Sequence, residues 1–335
     1  MARFLLRRGL SAIGLLFLVS VVSFVLIKAP PGDYATYAAT LAQSQGGLSY
    51  EQAIILQEQI RERLGLNLPF VEQYILWVKG MVLNADFGLS FVYNKPVLTL
   101  LGERFWRTLA IAATCHLLAT LIGVSLGILA AANQHRWSDR VAQSIAFLGM
   151  TIPRFFMALV ILYWLAFIID YQYIGAISSR EYIFQPMSIA KLWDTLKHVW
   201  PIIFVAAFGG LAYNMRVMRG NLLDILRQPY IEAARAKGLP ESTVVLKHAV
   251  PNALHPLVMF QGVAMPYMLS GEIEVAIVLG IPTIGPLMLD SLYVHDIWVT
   301  ATIFLWLSAV LVVANFLADI ALGIVDPRVR QMGHA

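Results

Sequence analysis

Six separate stretches of this sequence stay almost wholly apolar for about twenty residues or more. That is the length a helix needs to cross a hydrocarbon core roughly 30 Å thick at about 1.5 Å per residue. They are residues 9–27, 108–132, 141–169, 199–218, 254–279 and 299–323. Of the 335 residues, 59% are hydrophobic and only 13% charged, with a mean hydropathy of +0.70; soluble domains run near 45–50% and about 25%. A chain this apolar cannot hide its surface from water, so an all-α polytopic membrane protein is expected, with the bilayer as solvent. The second stretch holds the small residues Gly123, Ser125 and Gly127, the third is interrupted by Pro153, and the fifth contains Pro256 and Pro266. The net charge of +4 is scattered and forms no stripe of the kind that binds nucleic acid. The single cysteine, Cys115, lies in an apolar stretch, can make no internal disulfide and carries no information on redox compartment.

Lys and Arg positions predict the orientation. Arg3, Arg7 and Arg8 precede the first stretch, and Arg136 and Arg140 lie between the second and third. Arg216, Arg219, Arg227, Arg235, Lys237 and Lys247 bracket the fourth-to-fifth connection, Arg328 and Arg330 follow the sixth, and residues 281–297 contain neither Lys nor Arg. The positive-inside rule places the basic side in the cytoplasm, and both termini with it. The 28–107 connection does carry basic residues but is long enough to be exempt. A cleaved signal peptide is the competing reading of the first stretch. Its apolar run exceeds the usual 7–15 residues of a signal core, and Ala29-Pro30-Pro31-Gly32-Asp33 does not resemble a small-residue cleavage site, so an uncleaved helix is expected.

Three segments follow: an N-terminal transmembrane helix (1–28), an extracytoplasmic segment (29–107) and a core of five transmembrane helices (108–335). Within the extracytoplasmic segment Ser49 and Gln52 fit a capping box, and Gly65 suits the end of the helix begun there. A second short helix is expected from Pro69 to about Val82, with proline in its first turn. A small helical insertion fits this composition better than a disordered linker. Residues 170–198 are rich in Tyr and Trp, which suits either an aromatic belt at the membrane interface or a surface facing a substrate.

Residues 219–252 are neither membrane-apolar nor random. Pro229 breaks the helix ending at Asp224-Ile225-Leu226, because it lacks a backbone donor. Tyr230–Lys237 reads as a short alanine-rich helix carrying Glu232, stopped by Gly238. Pro240 delays resumption, and Glu241–His248 reads as a second short helix ended by Pro251. Such a helix–glycine–helix elbow could project a knuckle into a partner, or it could be an ordinary polar connection.

Glu232-Ala233-Ala234, followed three residues later by Gly238, resembles the EAA loop of binding-protein-dependent ABC transporter permeases. The run Tyr230–Gly238, with Arg219 before it and His248-Ala249-Val250 and Asn252-Ala253 after it, resembles the dipeptide/oligopeptide branch of that family. Arg3-Phe4-Leu5-Leu6-Arg7-Arg8, Pro31-Gly32-Asp33, Leu64-Gly65-Leu66 with Pro69, and Asp86-Phe87-Gly88 with Ser90 are similar to its first-permease type, as are Asn315, Asp319 and Asp326-Pro327-Arg328 with Arg330. The resemblance implies the type I ABC importer permease fold and a place in a bacterial inner membrane. Implied partners are a second homologous permease, two ATP-binding cassette subunits and an extracytoplasmic solute-binding protein. It also implies that the loop docks on an ATPase subunit, which assigns coupling to Glu232, Ala233, Ala234 and Gly238, with Arg235 and Lys237 as salt-bridging neighbours. The implied solute is a di- or oligopeptide.

The fifth stretch departs from that branch. Many members read Gly-Ala-Ile-x-x-Glu-x-x-Phe and then a Pro-Gly-x-Gly turn. Here Gly271 is followed by Glu272 and Glu274, Ala276 stands where the usual Glu would, and the turn reads Pro282-Thr283-Ile284-Gly285-Pro286. The departure weakens the peptide assignment and keeps an oligosaccharide open. Carboxylates are costly in lipid, so Glu272 and Glu274 are candidates for a substrate pathway or for the outer interface. Two residues apart on a helix, they point in nearly opposite directions, so at most one can face a pathway comfortably. Arg154, just after Pro153, is a third candidate, as a substrate contact, a partner of either carboxylate or a structural arginine. His116 beside Cys115 is expected to pack or to hydrogen-bond between helices, because adjacent positions diverge by about 100° and make a shared metal site improbable. A membrane enzyme built on these carboxylates lacks any metal-type or nucleophile motif, and an ion-coupled carrier lacks a visible inverted repeat. The chain has no phosphate-binding Gly-x-x-x-x-Gly-Lys-Ser/Thr loop, so ATP and Mg are expected on partner subunits and no cofactor or metal in this chain.

Overall fold

The computed structural model describes residues 2–325. The tail motif at Asp326-Pro327-Arg328 and Arg330 lies outside the described residues, as do the side chains of Arg3, Arg7, Arg8 and Asp319. The helices, in chain order, are α1 (Ala2–Lys28), α2 (Tyr34–Ser44), α3 (Tyr50–Leu64), α4 (Phe70–Asn84), α5 (Val97–Ala132), α6 (Trp137–Thr151), α7 (Arg154–Tyr163), α8 (Ile189–Leu226), α9 (Pro229–Ala236), α10 (Glu241–Thr243), α11 (Val250–Leu279), α12 (Ile284–Tyr293) and α13 (Ile297–Val325). Among the described residues the β-structure is an isolated Leu89–Pro96 bridge.

Gly9–Lys28, Val97–Ala132, Ile189–Leu226 and Ile297–Leu317 are each long and apolar enough to cross a membrane. Two bent pairs, Trp137–Thr151 with Arg154–Ile168 and Tyr267–Leu279 with Ile284–Tyr293, raise the number to six if each pair is one span. The third apolar stretch is thus no straight rod: it turns by 101° where α6 gives way to α7. Pro153 explains the break, because its ring and missing donor prevent a helix from running through.

The chain divides into two compact units, Met1–Trp106 with Thr283–Val312, and Arg107–Pro282 with Val313–Ala335. In the first unit, Phe24, Ala35, Leu66, Trp77, Ile297 and Ala301 form a buried cluster, with the Phe24 and Trp77 rings stacked at 6.0 Å. Both halves of the capping box at Ser49 and Gln52 are present, and Gly65 ends α3 in the left-handed region. Pro69 occupies the N-cap of α4 rather than its first turn. The sequence reading missed α2, which starts at Asp33, where the carboxylate accepts the Thr36 N–H at 2.8 Å. Further on, the buried Asp296 accepts from the Ser90 hydroxyl at 2.6 Å and the Phe91 N–H at 2.9 Å, fastening the 86–96 loop to the start of α13. Ile284–Gly285–Pro286 opens α12 and is not an extended turn.

In the second unit, α5 and α8 meet at the small residues noted above. A Cβ on Gly123 would stand 2.6 Å from the Leu211 carbonyl, and one on Gly127 would stand 2.7 Å from that of Met215. Thr120 Oγ1 donates to Gln261 Oε1 at 2.9 Å and Gln261 Nε2 donates to Asn214 Oδ1 at 3.2 Å, so one polar chain joins α5, α11 and α8. Near the α5–α6 connection, the buried Asp139 accepts from Arg219 Nε and Nη2 at 2.6 and 3.0 Å, which ties α6 to the end of α8.

Candidate functional site

The segment after α8 is built as an elbow. Gln228 is extended, and Pro229 opens α9 at a position where its missing N–H is harmless. Along α9, Ile231 and Ala234 are buried, while Glu232, Ala233, Arg235 and Ala236 are exposed, as is Lys237 beyond it. The buried pair joins Leu222, Val244, Val245, Ala249 and Leu257 in a hydrophobic cluster that seats the elbow on α8 and α11. Gly238 then takes φ +75°, a conformation that costs other L-residues roughly 1–2 kcal/mol. A Cβ there would meet nothing within 4 Å, so backbone conformation, not crowding, selects glycine.

Across the elbow, Arg235 donates to Glu241 through Nη2 at 2.6 Å and Nε at 3.1 Å. The hydrogen bond from Arg235 holds the Glu241 carboxyl below its ordinary value. Glu241 was not singled out in the sequence; its signal was a carboxylate six residues after Arg235 and beyond a glycine. Asn252 Nδ2 donates to the Tyr230 hydroxyl at 3.2 Å, joining two residues of the family-like run. The second short helix does not stop at Pro251. Instead α10 passes through a wide π turn, Val244–Ala249, into α11. Pro251 falls in the first turn of α11, where a missing donor costs little. Of the six residues expected to couple, five are exposed, and Ala234 is an anchor facing the cluster.

A cavity of about 690 Å³ lies in the same unit, lined by Arg154, Tyr213, Tyr267, Ser270, Glu274 and His116 among others. The α6–α7 break puts Arg154 at the first position of α7. Its guanidinium sits 4.3 Å from the Tyr267 ring centroid, and Nη1 donates to the Tyr267 carbonyl at 3.3 Å. A Cβ on Gly271 would collide with Nη1, and one on Gly209 would stand 3.4 Å from Nε, so two glycines leave the notch that the arginine fills. The two carboxylates separate as their spacing requires. Glu274 is exposed and lines the cavity, whereas Glu272 is fully buried. His116 lines the cavity, while the neighbouring Cys115 is buried with Sγ 3.9 Å from the Ile203 carbonyl. Among the described residues no three His, Cys, Asp or Glu gather as a metal site would need.

Apolar helices of spanning length, a broken helix pair and an exposed helix–glycine–helix elbow define a polytopic membrane protein of the permease class. Comparison with known proteins makes this specific. The family described as "Binding-protein-dependent transport system inner membrane component" matches residues 123–331, and its N-terminal counterpart matches residues 1–112. The oligopeptide transport system permease protein AppB of Bacillus subtilis (strain 168) is 32% identical over 98% of this chain and 99% of its own. The glutathione transport system permease protein GsiC of Escherichia coli (strain K12) is 30% identical over 98% and 99%. A probable peptide ABC transporter permease of Sinorhizobium fredii is 29% identical over 98% and 100%. An inward-facing crystal form of the MetNI methionine ABC transporter is similar in fold, with TM-score 0.54 and 18% identity over 68% of this chain and 97% of that one. The chain belongs to the family of binding-protein-dependent transport system inner membrane components, and is a multi-pass permease subunit of an ABC importer.

Proposed function

We propose that this permease moves di- or oligopeptides, pairing with a second homologous permease and two ATP-binding subunits and receiving solute from an extracytoplasmic binding protein. The names of its relatives (oligopeptide, peptide and glutathione transport) support the solute class. In this reading the chain is non-catalytic, and ATP and Mg are held by the partner ATPases. Residues 29–107 lie outside the membrane, both termini lie in the cytoplasm, and residues 219–252 form the coupling loop within the 108–335 core. Arg154, Glu272 and Glu274 are the polar groups assigned to the solute pathway and its support.

One observation carries the coupling assignment: α9 buries Ile231 and Ala234 against the body while turning Glu232, Ala233 and Arg235 outward, and Lys237 and Gly238 just beyond it are exposed as well. That is the arrangement of a knuckle anchored on one face and presented on the other. Partner closure would push on the exposed face, and the buried face would pass the displacement to α8 and α11. Gly238→Asp and Glu232→Lys are expected to abolish ATP-driven uptake while membrane insertion and protein level stay normal, since neither side chain packs inside the chain. Undiminished uptake by both variants in cells expressing the full transporter would refute the assignment.

A further inference from the structure

The cavity holds both signs of charge on a fixed frame. Arg154 is clamped by the Tyr267 ring and carbonyl in a notch left by Gly209 and Gly271. Glu274 lies three residues beyond Gly271 on α11, about 4.5 Å further along the axis and on a neighbouring face. Both side chains line the same space, together with the stacked Tyr213 and Phe260 rings, 4.4 Å apart. The volume of about 690 Å³ falls within the roughly 300–1,000 Å³ of small-molecule sites.

We propose that this cavity is a subsite for zwitterionic solutes in transit, with Arg154 receiving a carboxylate, Glu274 an ammonium group, and Tyr213 and Phe260 an apolar side chain. The inference rests on the peptide-importer reading and deepens it: it names the free termini as the recognised groups and leaves Glu272 outside the contact set. The physical reason is desolvation. A neutral solute such as an oligosaccharide would strip water from a guanidinium and a carboxylate without replacing its charge-compensating partners, which is unfavourable at membrane depth. A peptide with free ends compensates both. The guanidinium is also suited to the task, because its planar fork matches a carboxylate and its position is fixed before the solute arrives.

The test uses cells expressing the complete transporter, supplied with isotope-labelled casein peptides, the same peptides N-acetylated and C-amidated, and maltotriose. Accumulated solutes are read by mass spectrometry and normalised to the amount of assembled complex. The wild-type transporter is expected to favour unblocked peptides over both neutral probes. Arg154→Gln and Glu274→Gln are each expected to lower peptide accumulation by about tenfold or more, the scale of a lost charge-assisted hydrogen bond, and Arg154→Lys by less. Glutamine variants that accumulate peptides at the wild-type rate would overturn the proposal, as would a wild-type transporter that takes blocked peptides or maltotriose equally well. A wild-type complex that accumulates none of the three probes would instead defeat the peptide-importer reading beneath it, so the two failures are told apart by the wild-type sample alone.

Discussion

Asp33 accepts from the Thr36 backbone N–H and hydroxyl, both at 2.8 Å, and from Arg61 Nε at 2.8 Å, so one carboxylate caps α2 and ties it to α3. Burial pushes its carboxyl up, but the bonds from Arg61 and Thr36 more than offset this and hold it below the ordinary value. A carboxyl lowered in the folded state contributes stability that is complete above the unfolded value, near pH 4, and drains away as pH falls through the folded value. The α2–α3 hairpin is therefore expected to loosen selectively in acid. Asp33→Ala should produce that loosening at neutral pH, at a cost near the ~0.5–2 kcal/mol of a lost N-cap. Hydrogen exchange over residues 34–64 in membrane-embedded protein would check this, and unchanged protection in the variant would remove Asp33 from the role. The Arg235–Glu241 pair is a contrasting case. It lies on an exposed surface, where ion pairs are worth little, and its value is the shape it gives the elbow.

Helices α5 and α8 approach closely because Gly123 and Gly127 carry no side chain. Gly127→Val would drive a Cβ into the Met215 carbonyl and to 2.8 Å from the Met218 Cβ, and overpacking of that kind costs typically about 1–3 kcal/mol. Gly220, also helical, has nothing within 4 Å of its would-be Cβ, so Gly220→Ala should be neutral or stabilising by up to ~1 kcal/mol. Thermal melting of the purified transporter separates the two outcomes. Much at this scale is legible in sequence: the apolar stretches, the Ser49–Gln52 cap, and the elbow's Pro229 and Gly238 all act through local chemistry. Most of what escaped depends on distant partners or on competing rules. The Asp33 cap that starts α2 is local and was overlooked, whereas the tie from α2 to α3 runs through Arg61, 28 residues from Asp33. Pro251, which reads as a terminator, falls in the first turn of α11, where its missing donor costs little, and the π turn at Val244–Ala249 joins α10 to that helix. The cavity arises from the bend at Pro153, which brings Arg154 against α11, and no spacing within one helix announces that meeting. The separation of Glu272 from Glu274 was legible, because helical geometry alone demands it.

Orientation belongs to the whole molecule, because each charged loop contributes to one sum. On the side assigned to the cytoplasm, Arg136 and Arg140 lie between the second and third spans, and Arg216, at the end of the fourth, with Arg219, Arg227, Arg235, Lys237 and Lys247 brackets the fourth-to-fifth connection. The opposite side is not free of basic residues: Arg180, Lys191 and Lys197 stand in the 170–198 connection, and the sum has to include them. Eight against three still favours the assigned orientation, and Glu181 and Asp194 do little to alter it because acidic residues weigh lightly in the rule. Lys191 is partly engaged as well, donating to the Gln185 carbonyl at 2.6 Å. The sequence offers a direct check. Cys115 is its single cysteine and is buried, so Cys115→Ala gives a background without thiols from one substitution. Lys237→Cys on the elbow and Phe184→Cys, at a side chain 96% exposed, then report from the two connections that flank α8. In intact cells a membrane-impermeant maleimide is expected to label the cysteine at 184 and to reach the one at 237 only after the membrane is opened. Labelling in the reverse order would turn the elbow away from the compartment that supplies ATP, and the coupling assignment would fall with the topology.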